Sequence, residues 1–381
     1  MRGRRRLMAL GLSLSSSALL ALSSEPFAFA PVAWVALTPL FVAILREPKW
    51  RWSALYGFVC GAAYFAFHLS WIFLFGWMAW VGLVLVMSAF SAAAGWAAGV
   101  VRRLPLAPAL VAGAWTGAEL LRDRIPWGGF SWGTLGTSQA AMPGVRWLAG
   151  TVGAFGLTFL TAFVAAVVAD RVVAGGMPWG SIGLVGAVLV ALVAVDAAMF
   201  AGAGQGRPFE VAVVQGNVPR PYDELRQRER VFEGHMRLTR TLLDDPARPD
   251  LVVWAEDAVR SDVLPDADAQ IAALAAELGT PMLVGRSETD FVREGFLNLV
   301  DHIDEAGTTV DSYSKRHPVP FGEYVPVSFL RRFVTTLDQV PYDMLRGSEP
   351  TVFDVSGTKV AAPICFESVF PRDVRVFARK G

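Results

Sequence analysis

Cysteine and charge are both scarce in this chain. Only two cysteines, Cys60 and Cys365, occur among 381 residues, and 18% of the residues are charged. Two such distant cysteines cannot form a disulfide framework, and no C-x-x-C spacing predicts a zinc site. A soluble domain usually carries about 25% charged residues. The low charge argues against an ordinary soluble protein, and the isolated histidines His68, His235 and His302 predict no metal site.

Hydrophobic residues are abundant instead, at 54% of the chain, and they dominate its first two hundred positions. The formal net charge is zero, so no basic field predicts nucleic-acid binding. A membrane-spanning helix needs about 20 apolar residues, and about 17 at least. We therefore predict a transmembrane bundle over residues 1–203 with about seven helices. The predicted spans are Leu7–Leu22, Phe27–Leu45, Ser53–Phe75, Trp77–Val101, Ala107–Leu121, Val145–Val173 and Trp179–Ala201.

The basic residues of the short loops predict the orientation of this bundle. They cluster within residues 2–6, 46–51 and 102–103, which places the N-terminus in the cytoplasm by the positive-inside rule. Seven spans would then leave the chain after Gly202 on the exoplasmic side. The first thirty residues also imitate a signal peptide, but Pro31 after Ala30 favours an uncleaved helix. Both readings place the C-terminal half outside.

Small residues recur at helical spacing in two of the predicted spans. Gly57 and Gly61, and likewise Gly95 and Gly99, form G-x-x-x-G patterns. Such patterns allow helix backbones to approach closely, so we expect helix contacts there. Cys60 lies in the same apolar run and is expected to be inert packing.

The sequence changes character at Arg207, where short apolar runs begin to alternate with polar segments. This pattern predicts an α/β domain over residues 207–381 with a largely buried sheet. Helices are expected at Arg228–Leu243 and Asp268–Leu278. The predicted strands are Val211–Gln215, Leu251–Trp254, Met282–Gly285, Leu297–Ile303, Thr308–Tyr313, Val352–Val355 and Val360–Ile364.

Three reactive side chains follow apolar strands in this domain: Glu256, Lys315 and Cys365. Strand ends are where α/β enzymes assemble their sites. A cysteine nucleophile needs a base to form the thiolate and a positive group to hold the oxyanion. A desolvated glutamate can accept the thiol proton, and a nearby lysine favours the thiolate. The three residues together predict acyl thioester chemistry without a metal or an organic cofactor.

Longer blocks around these residues carry a specific resemblance. They are Val214-Gln-Gly-Asn-Val-Pro219, Trp254-Ala-Glu256, the stretch YSKRHPVPFGEYVP over residues 313–326, and Ile364-Cys-Phe-Glu367. These blocks resemble the signatures of the apolipoprotein N-acyltransferase family, a membrane branch of the nitrilase (carbon–nitrogen hydrolase) superfamily. The resemblance implies a multi-span helical membrane bundle followed by a nitrilase-like α-β-β-α sandwich.

The resemblance also implies a role for each matching side chain. Glu256 matches the general base, Lys315 the cation that stabilises the oxyanion, and Cys365 the nucleophile. The positions that match two supporting acids and a backbone oxyanion donor are Glu323, Glu367 and the N–H of Phe366.

The implied reaction is a two-step transfer at the outer face of the bacterial cytoplasmic (inner) membrane. A fatty acyl group would pass from a phospholipid such as phosphatidylethanolamine to Cys365 as a thioester. The α-amino group of a diacylglyceryl-cysteine lipoprotein would then accept it as an amide. The implied partners are thus a phospholipid, a diacylated lipoprotein and the bilayer, with no cofactor.

Three features depart from the family pattern. Phe366 follows the nucleophile where many relatives have tyrosine, and Tyr222 is the nearest aromatic residue where relatives often have tryptophan. The sequence ends at Gly381, where the family continues with further strands and a last membrane helix. We therefore expect the C-terminal domain to be incomplete.

Other interpretations of the same residues remain. A membrane-tethered amidase or nitrilase-type hydrolase would use the same Glu–Lys–Cys set with water as the acceptor. A scaffold or transporter-like relic would keep these residues without catalysis. A papain-like pair of Cys365 with His317 is disfavoured, because papain-like enzymes place the cysteine before the histidine in the chain.

Overall fold

The computed structural model of the chain describes residues 2–142, 144–176, 179–200, 206–217, 224–246, 248–327 and 342–381. Two compact units make up the chain, Met1–Gln205 and Gly206–Gly381. The first is helical and the second contains the β-structure. Of the residues singled out in the sequence, Val218, Pro219 and Tyr222 lie outside the described residues.

The N-terminal unit is built from eight α-helices within the described residues. They are α1 (Arg2–Ser23), α2 (Ala33–Ala36), α3 (Thr38–Arg46), α4 (Trp50–His68), α5 (Trp77–Val101), α6 (Ala107–Arg122), α7 (Leu148–Val173) and α8 (Trp179–Phe200). Short 3-10 helices cover Ala30–Val32, Ser70–Phe75, Leu135–Ala141 and Val145–Trp147. The second predicted span is broken at Leu37, next to Pro39 in the first turn of α3, where proline starts a helix readily but cannot continue one.

Among the described residues, three helical segments are long and apolar enough to cross a membrane: Gly3–Ser23, Trp77–Val101 and Val145–Val173. Helices also occupy the other predicted spans, but Ala30–Arg46 is shorter and α6 has 16 residues. The chain therefore has the helical membrane unit that its composition predicts. The count of seven spans and the orientation stay predictions.

Helices α4 and α5 approach each other through their glycines. A Cβ atom added at Gly57 would lie 2.2 Å from the carbonyl oxygen of Ser91, and one added at Gly95 would lie 2.3 Å from that of Ser53. Real Cβ atoms are not found that close to a carbonyl oxygen, so the two backbones touch where side chains are absent. The helix contacts predicted from the two G-x-x-x-G patterns are confirmed.

Two buried ionisable side chains fix the loop that follows α6. Glu119 accepts hydrogen bonds from the backbone N–H of Leu135 (3.0 Å) and from the Thr158 hydroxyl (2.9 Å). Arg122 donates to the carbonyl oxygen of Trp132 at 2.6 Å. Because a charge in an apolar interior is costly unless its hydrogen bonds are satisfied, these contacts hold the loop and α7 against α6.

The C-terminal unit alternates strands and helices before its strands pair directly. Its strands are β1 (Val211–Val214), β2 (Leu251–Trp254), β3 (Val259–Arg260), β4 (Met282–Asp290), β5 (Gly295–Ile303), β6 (Thr309–Ser314), β7 (Asp343–Met344), β8 (Val352–Val355) and β9 (Thr358–Ala361). Its helices are α9 (Glu224–Arg240), α10 (Ala267–Leu278) and α11 (Pro371–Lys380), with 3-10 helices at Thr241–Asp244 and Cys365–Val369.

Seven of the described strands form one mixed sheet. Its main order is β1-β2-β4-β5-β6, while β3 pairs with β4 and β7 with β5. The pairs β1–β2 and β2–β4 are parallel, whereas β4–β5 and β5–β6 are antiparallel. Strands β8 and β9 form a separate antiparallel hairpin.

The centre of the main sheet is buried on both faces, because the side chains of β2 and β4 alternate between two apolar clusters, whereas most side chains of the outer strands β1 and β6 are exposed. On β2, Val252 and Trp254 pack with α9 and α10, whereas Leu251 and Val253 pack with the β8–β9 hairpin and α11. The order of layers is thus helices, main sheet, hairpin and helix. This arrangement confirms the predicted α/β class, and period-two burial on both faces explains the near-continuous apolar runs of the strands.

The main differences from the predicted elements lie at their ends. Strand β4 continues to Asp290, five residues beyond the predicted Gly285, because it pairs along its whole length with β5. Strand β9 ends at Ala361 rather than Ile364, since Pro363 lacks the N–H that a ladder needs. The segment between β9 and Cys365 is therefore irregular.

Gly95 and Gly82 of α5 provide a matched test of the helix contact. A Cβ atom at Gly95 meets the α4 backbone, whereas nothing lies within 4 Å of one at Gly82. Gly95→Ala should lower the free energy of unfolding by about 1–3 kcal/mol through overpacking. Gly82→Ala should leave it unchanged or raise it by up to about 1 kcal/mol through helix propensity. Thermal unfolding of both variants in detergent measures this difference, and equal stabilities would contradict the contact.

Candidate active site

The three reactive residues singled out in the sequence meet at one place in the C-terminal unit. Glu256 follows β2, Lys315 directly follows β6, and Cys365 follows β9. The Lys315 ammonium contacts Glu256, and the Glu256 carboxylate lies close enough to the Cys365 thiol to act on it through hydrogen bonding and charge. Strands distant in sequence thus bring together one base, one cation and one thiol.

Lys315 lies between two carboxylates. Its Nζ atom is 2.6 Å from Oε1 of Glu323 and 3.2 Å from Oε1 of Glu256, and its side chain is fully buried. Burial alone would lower the pKa of the ammonium, but the two negative charges outweigh it and hold that pKa above its ordinary value. The other Glu323 oxygen accepts the N–H of Val319 at 2.7 Å. Lys315 is therefore a fixed cation.

Cys365 presents its thiol from a strained turn. Its φ angle is +49°, a left-handed conformation that costs a non-glycine residue about 1–3 kcal/mol and is common at functional sites. The residue is exposed. Even so, desolvation of the thiol and the charge of Glu256 raise the pKa of Cys365 to about 11, with Lys315 opposing the rise. The resting thiol is thus protonated and needs a base to react.

Glu367 is buried behind the nucleophile and links two loops. Its carboxylate accepts hydrogen bonds from the Tyr313 hydroxyl (2.8 Å) and from the backbone N–H groups of Arg316 (2.8 Å) and Ile364 (2.9 Å). The N–H of His317 adds a further bond at 3.0 Å. One carboxylate therefore ties the segment before Cys365 to the end of β6.

Asn298 is a member of the site that sequence reasoning missed. It lies on β5, and its Nδ2 atom donates to Oε1 of Glu256 at 2.7 Å. Its backbone oxygen accepts the N–H of Lys315 at 2.9 Å. One sequence signal could have revealed Asn298. It lies two residues from Val300 and so shares its strand face, which is buried in the core, and an apolar side chain is expected on such a face.

A glycine lets the Glu256 loop reach this position. A Cβ atom at Gly285 on β4 would lie 2.2 Å from the carbonyl oxygen of Ala255 and 2.8 Å from the Cα of Glu256. Any side chain there would push the loop away from the sheet. Gly285 therefore sets the distance between Glu256 and Lys315.

His317 does not pair with the thiol. Its Nδ1 atom bonds Asp373 at 2.9 Å, and its ring stacks on Phe370 with centroids 4.1 Å apart. Its Nε2 atom is buried without a hydrogen-bond partner in the part of the chain that the structure describes. These contacts disfavour the papain-like interpretation further. The described residues also contain no group of three or more histidine, cysteine or acidic side chains placed to hold a metal ion.

Replacing one oxygen of Glu367 tests its linking role. Glu367→Gln keeps the shape but points an amide N–H₂ at groups that donate hydrogen bonds. We expect the free energy of unfolding of the C-terminal unit to fall by about 1–3 kcal/mol. Glu349→Gln is the matched control, because the Glu349 side chain is 78% exposed and contacts Lys380 at the surface. Thermal unfolding measures the stability of both variants. An equally small loss of stability in each would show that the hydrogen bonds of Glu367 do not hold the two loops together.

The raised pKa of the Cys365 thiol predicts a pH profile. Alkylation of Cys365 by a small uncharged reagent should rise with pH toward a midpoint near 11, because the thiolate is the reactive form. Glu256→Gln removes a negative charge, so this midpoint should move to lower pH. Glu288→Gln, at an exposed position of β4, should leave it in place. Mass spectrometry of the peptide containing Cys365 gives the rates, and an upward or absent shift would refute the electrostatic coupling.

The two units match two family models. Residues 16–167 match the apolipoprotein N-acyltransferase N-terminal domain, and residues 211–381 match the carbon–nitrogen hydrolase model. Among solved structures, a carbon–nitrogen hydrolase from Helicobacter pylori G27 is 16% identical, with a TM-score of 0.34. It covers 45% of this chain and 56% of that chain.

Curated relatives are similar along almost the whole chain. The apolipoprotein N-acyltransferase of Geobacter metallireducens is 30% identical over 404 residues, which cover 97% of this chain and 75% of the relative. That of Methylococcus capsulatus is 30% identical over 379 residues, covering 91% of this chain and 72% of the relative. Both units and the order in which they are joined thus match one family, and the chain belongs to the apolipoprotein N-acyltransferase family.

Proposed function

We propose that this chain transfers a fatty acyl group from a phospholipid, through a thioester on Cys365, to the N-terminal amine of a diacylglyceryl-cysteine lipoprotein. The observation that carries the proposal is the contact chain from the Cys365 thiol to Glu256, and from Glu256 to Lys315 and Glu323. It supplies a nucleophile, a base and a fixed cation. Membership of the family supplies the class of donor and acceptor.

In the first step, Glu256 takes the thiol proton as Sγ attacks the carbonyl carbon of the acyl ester. The negative charge that develops on the carbonyl oxygen is stabilised by the Lys315 ammonium, which two carboxylates keep charged. The N–H of Phe366 is the second donor we assign to this oxyanion. Collapse of the tetrahedral intermediate breaks the ester bond, and protonated Glu256 returns its proton to the departing lysophospholipid oxygen. A thioester on Cys365 remains.

In the second step, the lipoprotein amine attacks the thioester carbon. Glu256, again ionised, takes a proton from the attacking nitrogen. The C–S bond breaks as the amide forms, and Glu256 returns the proton to the departing sulfur of Cys365, which restores the resting thiol. Because a thioester is more reactive toward amines than the amide it yields, the transfer runs toward the triacylated product. Lys315 faces the same oxyanion in both steps, so one fixed charge serves the whole cycle.

We place this chemistry at the exoplasmic face of the bacterial inner membrane. The basic residues near the N-terminus and in the short loops support a cytoplasmic N-terminus. With residues 1–203 spanning the bilayer about seven times, residues 207–381 would lie outside the cytoplasm. The donor we propose is a phospholipid such as phosphatidylethanolamine, since an acyl ester at the membrane surface is what a Cys365 thiolate requires.

Intact-protein mass spectrometry tests the first step. We expect wild-type protein in phosphatidylethanolamine bilayers to gain the mass of one fatty acyl group, and hydroxylamine to remove it, because hydroxylamine cleaves thioesters. Cys365→Ala should gain nothing. Cys60→Ala is the matched control and should behave as wild type, because Cys60 is buried in the N-terminal unit.

Adding a diacylated lipopeptide to the acylated protein tests the second step. Loss of the acyl mass from Cys365, together with formation of an N-acylated peptide, is the expected result. Release of free fatty acid instead would favour the hydrolase interpretation. Folded wild-type protein that never gains acyl mass would refute catalysis by this chain.

A further inference from the structure

The two oxygens of Glu256 stand in different surroundings. Oε1 accepts the amide of Asn298 at 2.7 Å and the ammonium of Lys315 at 3.2 Å. A carboxylate oxygen offers two lone pairs in its plane, so these two donors occupy Oε1. A proton arriving at Oε1 would face two N–H groups, whereas no geometric hydrogen bond to Oε2 is found among the described residues.

Asn298 is the closer of the two donors. Lys315 lies nearer to Glu323, at 2.6 Å, than to Glu256, at 3.2 Å, so its attraction is shared. The amide of Asn298 has Glu256 as its acceptor at 2.7 Å. Because an ionised carboxylate only accepts hydrogen bonds, the orientation of the Asn298 amide is also fixed. Asn298 therefore holds Oε1 of Glu256 through a shorter hydrogen bond than Lys315 does, and it does so without sharing its Nδ2 with Glu323.

Asparagine at position 298 lowers the stability of the fold. Asn298 is buried, and its side-chain oxygen Oδ1 is buried without a partner among the residues that the structure describes. A buried carbonyl without a hydrogen bond destabilises a fold, and an apolar side chain of the same size would avoid that cost. Folding alone does not explain the residue, but holding Glu256 does.

We propose that Asn298 is a positioning residue that keeps Oε1 of Glu256 occupied and thereby directs the Cys365 proton to Oε2. This inference rests on the proposed function for the role of Glu256 as the base. In the step itself, the S–H bond breaks and an Oε2–H bond forms, and the electron pair stays on Sγ to attack the acyl carbon. Oε2 then holds the proton that the leaving group receives.

A p-nitrophenyl ester isolates this proton transfer. Nitrophenolate leaves without being protonated, so the acylation rate constant of Cys365 reports only removal of the thiol proton and attack by sulfur. The initial burst of nitrophenolate measures it, with Cys365→Ala as the blank. The same variants are then acylated by phosphatidylethanolamine and followed by intact mass.

Asn298→Leu should lower the acylation rate constant about tenfold to a hundredfold, a fraction of what general-base catalysis contributes. The dissociation constant of the ester, taken from the concentration dependence of the burst rate, should be unchanged. The unfolding temperature of Asn298→Leu should stay the same or rise, because the unpartnered Oδ1 is gone. A purely structural role predicts the reverse, a lower unfolding temperature with an unchanged rate constant in the folded protein.

Asn298→Asp tests the proposal through the pH dependence of the acylation rate constant, which a purely structural role of Asn298 would not change. The introduced carboxyl group lies beside Glu256, and when it is protonated its O–H can donate to Oε1 in place of the amide. When it ionises at higher pH, it repels Glu256 and no longer donates. The acylation rate constant of Asn298→Asp should therefore fall as the pH rises, while Asn298→Leu keeps the shape of the wild-type profile. The charged and titratable groups that face Glu256 here are Lys315, Glu323 and Cys365.

Ser312→Ala is the matched control, because it removes a hydrogen bond to Asp301 in the same sheet without touching Glu256. It should lower the unfolding temperature and leave the rate constant unchanged. A wild-type acylation rate constant in Asn298→Leu, or an effect confined to the dissociation constant of the ester, would overturn the proposal. If the wild type reacts with the nitrophenyl ester and not with the phospholipid, the proposed function is refuted. The acylation rate constants measured with the nitrophenyl ester still show whether Asn298 positions Glu256.

Discussion

The buried ammonium of Lys315 is the group around which the C-terminal unit is arranged. A charge removed from water is strongly destabilising unless opposite charges and hydrogen bonds compensate it. Here the compensation comes from Glu256 after β2 and from Glu323 in the loop after β6. The chain can bury Lys315 only when both loops are in place. Correct folding and assembly of the site are therefore one event.

A second buried carboxylate extends the same dependence to the nucleophile. Lys315 comes two residues after Tyr313, directly beyond the end of β6, and its backbone still pairs with β5, so the two side chains face the same side of the sheet. Glu367 bonds the Tyr313 hydroxyl and the N–H of Ile364. The segment before Cys365 is thus held in position by the same strand that positions Lys315. The three acidic residues have different roles. Glu256 and Glu323 contact the Lys315 ammonium, whereas Glu367 fixes the loop that carries Cys365.

The sequence predicted the strand ends well and the supporting contacts poorly. Glu256, Lys315 and Cys365 were found because each follows a predicted strand. Burial on both faces explains the apolar run of β2, whereas β6 and β9 are partly exposed. Asn298 was missed because one polar residue within a strand has no periodicity to mark it. Its meaning depends on β5 lying beside β6, a non-local pairing that no local pattern encodes. Gly285 was missed for the same reason.

The N-terminal unit shows the corresponding limit for helices. Apolar length predicted where its helices lie, and the G-x-x-x-G spacing predicted the approach of α4 to α5. Length did not predict the break at Leu37, where the geometry of one proline in α3 outweighs the hydrophobicity of the whole run. Nor did it indicate that Glu119 and Arg122 would be buried, since their partners lie in a loop and in another helix.

Those two residues have a consequence for the order in which the chain is made. Arg122 contacts Met87 and Phe65, which precede it in the sequence, but the oxygen that accepts its shortest hydrogen bond, in Trp132, and the partners of Glu119 outside α6, Leu135 and Thr158, all come later. When α6 leaves the ribosome, its two charges have none of these later hydrogen-bond partners. Placing α6 in an apolar environment at that moment would cost free energy, because these hydrogen bonds are not yet made. The cost falls once the loop and α7 have been synthesised and supply the partners. Helices α6 and α7 therefore become stable together, as a single helical hairpin.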